Sequence, residues 1–169
     1  MPAKRKTLTM ATQLARVDAK HQHVRLDDGS VLLRMAAVPW TALPFPGLIG
    51  IKYKIMNFDR NRSWITMINT FEPGSRFATH KHLGMVEIYM LEGSFFYDNG
   101  QVWAGDYMSE AGGITHAPGS DEGALMLTTL HGPLQILDDA GEVVKTVGID
   151  EIYDLAAENG AVAHLAATL

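Results

Sequence analysis

Between residues 50 and 137 apolar and polar positions alternate in short runs, separated at intervals of about ten residues by turn-forming residues. The runs cover 51–58, 64–71, 86–91, 94–97, 101–103, 107–108 and 125–130 and are rich in β-branched and aromatic side chains. A period of two places one face of each run in a core and the other towards solvent or a second layer. Between them stand Glu72-Pro73-Gly74, Glu92-Gly93, Asp98-Asn99-Gly100 and Ala117-Pro118-Gly119, each expected to turn the chain. Gly permits positive φ, Pro presets φ, and Asn and Asp tolerate the left-handed region. Upstream, alternation over residues 23–33 is broken by Asp27-Asp28-Gly29, which reads as strand, turn, strand. Pro39, Pro44, Pro46 and Gly47 mark a loop that carries Trp40 and Phe45. Downstream the period changes. Residues 150–159 read as a helix with Asp150 as its N-cap, Ile152 and Leu155 on one face, and Gly160 at its end. The pattern predicts an all-β sandwich or barrel over 31–149, a short C-terminal helix and tail over 150–169, and an N-terminal arm over 1–30.

Composition narrows the chemistry. Cysteine is absent, which excludes disulfides, thiolate metal sites and a Cys nucleophile. Net charge is −5 with His neutral, so the whole chain is not expected to bind nucleic acid. Residues 1–25 nevertheless hold six basic side chains (Lys4, Arg5, Lys6, Arg16, Lys20 and Arg25) and one acid, Asp18. No apolar export segment follows Lys4-Arg5-Lys6, and no run of apolar residues is long enough to span a membrane. A cytoplasmic protein with a solvated basic arm is expected.

Seven histidines in a chain without cysteine direct attention to their spacing. In His80-Lys81-His82 the two rings, at i and i+2 of a strand, point to one face and can converge on one ion. His21-Gln22-His23 has the same spacing but lies in the basic arm, where exposed rings are the ordinary reading. His131 and His164 have no such context and are expected to be structural or solvated.

Gly74-(five residues)-His80-x-His82-(four residues)-Glu87, closing at Gly93, resembles the first motif of the cupin superfamily. Gly105-(five residues)-Ala111-x-Gly113-(two residues)-His116 is similar to the second, with Ala111 and Ser120 where the family usually has Pro and Asn. The resemblance implies a cupin jelly-roll barrel, a double-stranded β-helix, with His80, His82 and His116 holding one divalent metal per chain at the barrel mouth. The family's ligand Glu stands seven residues before the closing Gly, and that position here is Val86. Glu87 comes one residue later, and a one-residue shift in a strand reverses the face. Glu87 ligates only if a bulge re-aims it, so a three-His site is the favoured reading, with Glu87 kept as a candidate catalytic carboxylate.

Residues from about 65 to 165 are further similar to the 2,4′-dihydroxyacetophenone dioxygenase branch of the cupins. The stretches that carry this are His82-Leu83-Gly84-Met85-Val86-Glu87, Leu91-Glu92-Gly93, Ala104-Gly105-Asp106-Tyr107, Gly113-Ile114-Thr115-His116, Leu130-His131-Gly132-Pro133-Leu134 and Ile152-Tyr153-Asp154-Leu155-Ala156. That likeness implies Fe(II) on three His, with Zn, Ni or Mn as other metals imidazole accepts. It implies O₂ and a small ketone as substrates, and cleavage of a C–C bond beside a carbonyl in an aryl 2-hydroxyketone or related enolisable ketone. Glu110, six residues before His116, is the candidate to accept a ring N–H or take the substrate proton. Trp40, Phe45, Trp64, Tyr89, Phe95 and Phe96 are candidates to shape a pocket, although core packing explains each alone. Ligand rings must be neutral, so activity is expected to fall below about pH 6, near the free imidazole pKa of about 6.5. A zinc-binding regulatory module without turnover and a metal-assisted isomerase are the alternatives. Open sheet edges predict a homodimer or homotetramer.

Overall fold

The computed structural model describes residues 23–98 and 100–165. Residues 1–22 of the arm expected over 1–30, His21 among them, Asn99 of one expected turn, and the last four residues lie outside these. Fourteen strands and one α-helix are described. In chain order the strands are β1 (His23–Arg25), β2 (Val31–Leu33), β3 (Thr41–Ala42), β4 (Ile49–Asp59), β5 (Trp64–Arg76), β6 (His80–His82) and β7 (Val86–Tyr97). They continue as β8 (Gly100–Trp103), β9 (Tyr107–Glu110), β10 (Thr115–His116), β11 (Gly119–Ser120), β12 (Ala124–His131), β13 (Leu134–Leu137) and β14 (Val143–Val147). Helix α1 spans Ile149–Glu158, and a 3₁₀ turn occupies Met35–Ala37.

An eight-stranded sheet runs β11-β7-β12-β5-β4-β3, with β8 and β9 also paired to β7, and a four-stranded sheet runs β10-β6-β13-β14. Every described pairing is antiparallel. The two sheets enclose one apolar core in the jelly-roll barrel that the resemblance implies. Strand alternation builds its inner wall in rungs. Glu110, Val86, Leu130, Ile65 and Phe58 lie side by side across β9, β7, β12, β5 and β4. The next rung is Met108, Ile88, Thr128, Met67 and Ile55, and the next Met90, Met126, Asn69 and Tyr53. Of these, Tyr53, Ile55, Ile65 and Met90 have no exposed surface. Burying a large apolar side chain stabilises by about 1.5–3 kcal/mol, so these rungs fix the register: a one-residue slip would put a whole set into water.

Two of the expected turns are not turns. The chain runs straight through Glu72-Pro73-Gly74 within β5 and through Glu92-Gly93 within β7. Both glycines take positive φ (79° and 70°) inside long bent strands, where they allow local irregularity of pairing. Gly93 also permits a close approach, since a Cβ there would lie 2.0 Å from the carbonyl oxygen of Gly123. The helix starts one residue earlier than expected, with Gly148 as N-cap and no side-chain cap. Asp150 and Glu151 instead occupy its first turn, where the helix dipole favours acids, and Asp150 accepts a hydrogen bond from Arg60 Nε at 2.7 Å. Ile152 and Ala156 are buried, and Gly160 (φ 67°) follows the C-cap. No described helix is long and apolar enough to cross a membrane.

Candidate metal centre

Strand β6 carries His80 and His82 on its inner face, and the antiparallel pairing of β10 sets His116 directly across from His80. All three are buried, with 2%, 6% and 3% of their surface exposed. Their Nε2 atoms form a near-equilateral triangle: 3.0 Å from His80 to His82, 3.0 Å from His82 to His116 and 2.9 Å from His116 to His80. His80 Nδ1 lies 2.9 Å from the carbonyl oxygen of Ala78, which only accepts, so Nδ1 carries the proton and Nε2 offers its lone pair to the centre. Burial, reinforced by the neighbouring rings, lowers the pKa of His80 and His82 to about 3 and that of His116 to about 4. The rings are therefore neutral donors at physiological pH.

Three inward lone pairs at this spacing fit a cation. Donors on adjacent corners of an octahedron with bonds of about 2.1 Å stand about 3.0 Å apart, whereas tetrahedral corners stand about 3.4 Å apart. The described residues contain one such group of converging His, Cys or acidic ligands, and it is this one. The three-His group can bind one metal ion.

Glu110, at the end of β9, is 1% exposed and reaches both His116 Nδ1 (Oε1, 3.3 Å) and His82 Nε2 (Oε2, 3.4 Å). Neither approach is aligned as a hydrogen bond, so both carboxylate oxygens and His116 Nδ1 are buried without a partner. Desolvation raises the Glu110 pKa to about 7. An unpaired buried carboxylate is costly, and a cation or a ligand proton would satisfy it.

Glu87 occupies the opposite face of β7. Val86, Ile88 and Met90 point inwards and are buried, while Glu87 accepts a hydrogen bond from the Tyr107 hydroxyl at 2.7 Å and pairs with His131 Nε2 at 3.0 Å. These two hydrogen bonds hold its carboxyl below the usual range. The structure thus groups His80, His82, His116 and Glu110 and sets Glu87 outside the cavity. His164 is fully buried, donating from Nε2 to the carbonyl of Ile55 at 2.6 Å.

The histidines open into a cavity of about 80 Å³. Of the six aromatic candidates, Phe45 and Phe95 line it. Trp40 instead lies over the Lys54 ammonium, Trp64 packs on His131, Phe96 meets Arg76, and Tyr89 is exposed on the outer face. Sequence reading missed Phe77, whose ring lies tilted against that of His80 with centroids 4.2 Å apart, and the polar wall residues Asn69 and Thr128. The alternation in 64–71 and 125–130 could have put the last two on the inner face.

A family model described as the ChrR cupin-like domain matches residues 28–135. The chain belongs to the ChrR-like cupins. It is 30% identical over 117 residues to the acetylacetone-cleaving enzyme of Acinetobacter johnsonii, a match that spans 63% of this chain and 76% of that enzyme. Among solved structures, the acetylacetone dioxygenase from Acinetobacter johnsonii superposes with a TM-score of 0.67 at 24% identity, covering 70% of this chain and 85% of that one. An RmlC-like cupin from Ralstonia eutropha gives 0.68 at 21% identity, covering 76% and 85%. The structural likenesses establish the cupin fold, and the sequence kinship connects the chain to a dioxygenase-like branch of it.

Proposed function

We propose that this cupin is a non-haem Fe(II) dioxygenase that cleaves the C–C bond beside a carbonyl in an aryl 2-hydroxyketone or a related enolisable ketone. The observation that carries this reading is the triangle of neutral Nε2 donors at the wall of an apolar cavity, with a buried carboxylate 3.4 Å from one of them and 3.3 Å from the other ring nitrogen of His116. His80, His82 and His116 would hold the metal. Bound there without a compensating anionic ligand, ferrous iron supplies Lewis acidity towards the ketone oxygens and electron transfer to O₂.

The rest of the chemistry belongs to the chain. Ala78 fixes the His80 ring by its carbonyl, so the donor triangle is preorganised. Glu110 takes the proton from the carbon next to the carbonyl, being the buried base beside two of the three donors. Phe45, Phe77, Phe95, Ile88 and Met67 exclude water from the reacting bond. For an aryl 2-hydroxyketone the balance is ArCOCH₂OH + O₂ → ArCOOH + HCOOH: one C–C bond breaks, and both atoms of O₂ enter the products. Kinship with the acetylacetone-cleaving enzyme supports a carbonyl substrate of this kind.

The test is oxygen consumption by protein loaded anaerobically with iron, with 2-hydroxyacetophenones and β-diketones, coupled to detection of the two acids. Uptake with stoichiometric acid formation is the expected result. Tight zinc binding with no oxygen uptake by fully iron-loaded protein would instead favour a metal-binding regulatory module, and ketone turnover without oxygen an isomerase. We further propose a cytoplasmic homodimer or homotetramer. Sedimentation showing only an 18.5 kDa species at micromolar concentration overturns the assembly.

A further inference from the structure

Two buried polar side chains on the inner wall take no part in gathering the histidines. Asn69 on β5 and Thr128 on β12 are each 7% exposed, and both line the cavity. Thr128 stands one rung below Glu110 and two strands over; Asn69 stands one rung and one strand further. The three polar residues thus descend diagonally across a wall otherwise made of Val86, Ile88, Met90, Met67, Met126 and Leu130.

The Thr128 hydroxyl has no hydrogen-bond partner and no contact with solvent. The nearest polar neighbour of Asn69 by register is Tyr53, and its hydroxyl is already committed to the carbonyl of Ile152 at 2.6 Å. A buried hydroxyl left unpaired costs about 1–3 kcal/mol, so Thr128 calls for a ligand group to pair with, and Asn69 lies diagonally beside it on the same wall. Diagonal neighbours on adjacent strands lie about 7–8 Å apart between Cα atoms, close enough for one oxygen to reach both side chains. The cavity that both side chains line has a volume of about 80 Å³, room for a small ligand.

We propose that Asn69 and Thr128 form a polar subsite at the far wall of this cavity, hydrogen-bonding a hydroxyl or carbonyl on the end of the ligand remote from the three histidines. The subsite rests on the proposed reading only in taking the ligand to be a ketone held at the histidine end. It makes the chain selective for a single-ring ketone with hydrogen-bonding groups at both ends over one whose far end is apolar. Both side chains are positioning residues, and Glu110 remains the base.

The test measures binding apart from turnover. Protein loaded with redox-inert zinc is titrated calorimetrically with two aryl ketones that differ only in a hydroxyl or a methyl on the ring carbon opposite the ketone. Wild-type protein is expected to prefer the hydroxyl ligand by about tenfold or more, because a site built to pair a hydroxyl rejects the analogue without it. Thr128→Val and Asn69→Leu should each cut the preference to about threefold or less. Affinity for the methyl ligand and metal content should stay unchanged, and Thr128→Ser should keep the preference. Absence of a preference in wild-type protein, or its persistence in the folded double variant, overturns the subsite. The two proposals fail separately. No preference in wild-type protein with oxygen uptake intact sinks the subsite alone, and a wild-type preference without oxygen uptake sinks the dioxygenase reading alone.

Discussion

Gly84 sits in the loop that delivers His82 to the metal centre, and replacing it with alanine perturbs stability and site together. A Cβ at this position would lie 1.5 Å from the carbonyl oxygen of His131 and 2.5 Å from its carbonyl carbon. Real contacts of this kind do not fall below 3.0 Å, so the two backbones must part by about another 1.5 Å. That movement breaks the hydrogen bonds joining these segments, Leu83 N–H to the Pro133 carbonyl (3.0 Å) and His131 N–H to the Met85 carbonyl (2.9 Å). Two lost bonds, with their donors and acceptors left partly buried, cost about 3–4 kcal/mol. With a urea m-value of about 2 kcal/mol/M, the midpoint should fall by about 1.5–2 M. The His82 N–H bond to the Ile114 carbonyl and the Gly113 N–H bond to the His82 carbonyl tie the same loop to β10, so metal content should fall as well. Gly148→Ala is the control: a Cβ there meets nothing within 4 Å and the backbone is extended, so the midpoint should barely move. A Gly84→Ala protein with a wild-type midpoint and full metal occupancy would refute the steric reasoning.

Three further outcomes follow from the site and its surroundings. Glu110→Gln should retain stoichiometric metal by elemental analysis and lose activity by about 10²–10⁴-fold, the usual range for a missing general base; wild-type turnover would remove Glu110 from the mechanism. Glu87→Gln should leave both metal content and turnover within about twofold, because its partners, Tyr107 and His131, lie on the outer face; a metal-free Glu87→Gln protein would show that face to be coupled to the site. Lys54 is buried, donates to the Met35 carbonyl at 2.7 Å, and has its pKa lowered by burial from 10.5 to about 8. Between those values the unfolded chain binds the proton more strongly, so stability gains a term that rises from pH 8 to 10.5. Lys54→Met should flatten that rise in pH-dependent urea unfolding, and an unchanged slope would contradict the assignment.

The alternation of apolar residues was enough to read an all-β sandwich or barrel, because burial on one face of a strand writes itself into the sequence with period two; the choice of barrel came from the resemblance. Strand lengths were not legible in the same way. Gly74 and Gly93 look like turn residues, and only the pairing of β5 and β7 with their neighbours shows that positive φ here bends a strand instead of ending it. Histidines 80 and 82 were legible because their spacing is local to one strand. His116 depended on a second motif, since its place across from His80 is a matter of register between distant segments. Trp40, Trp64 and Phe96 show the limit of reading composition: each is aromatic, yet each covers a cation or a ring outside the cavity. Asn69 and Thr128 were overlooked for the converse reason, that a polar residue within an apolar run looks like noise until the wall it faces is known.

The displaced carboxylate is where sequence and structure meet most closely. By resemblance, an acidic ligand belongs at position 86, and this chain has valine there with an acid on each side of the problem: Glu87 next along the strand and Glu110 across from Val86 on β9. Strand parity disposes of Glu87, which the outer face holds by two hydrogen bonds. Glu110 shares the inner face with Val86, one strand over, about 4.8 Å in the hydrogen-bonding direction. From there it touches the ring nitrogens of His82 and His116 at 3.4 and 3.3 Å without entering their triangle. A carboxylate inside the triangle would cancel part of the metal's charge. One standing just outside leaves that charge for the substrate and is itself free to accept a proton. On the function proposed above, moving the acid one strand sideways converts a ligand position into a base position, with the His donors unchanged.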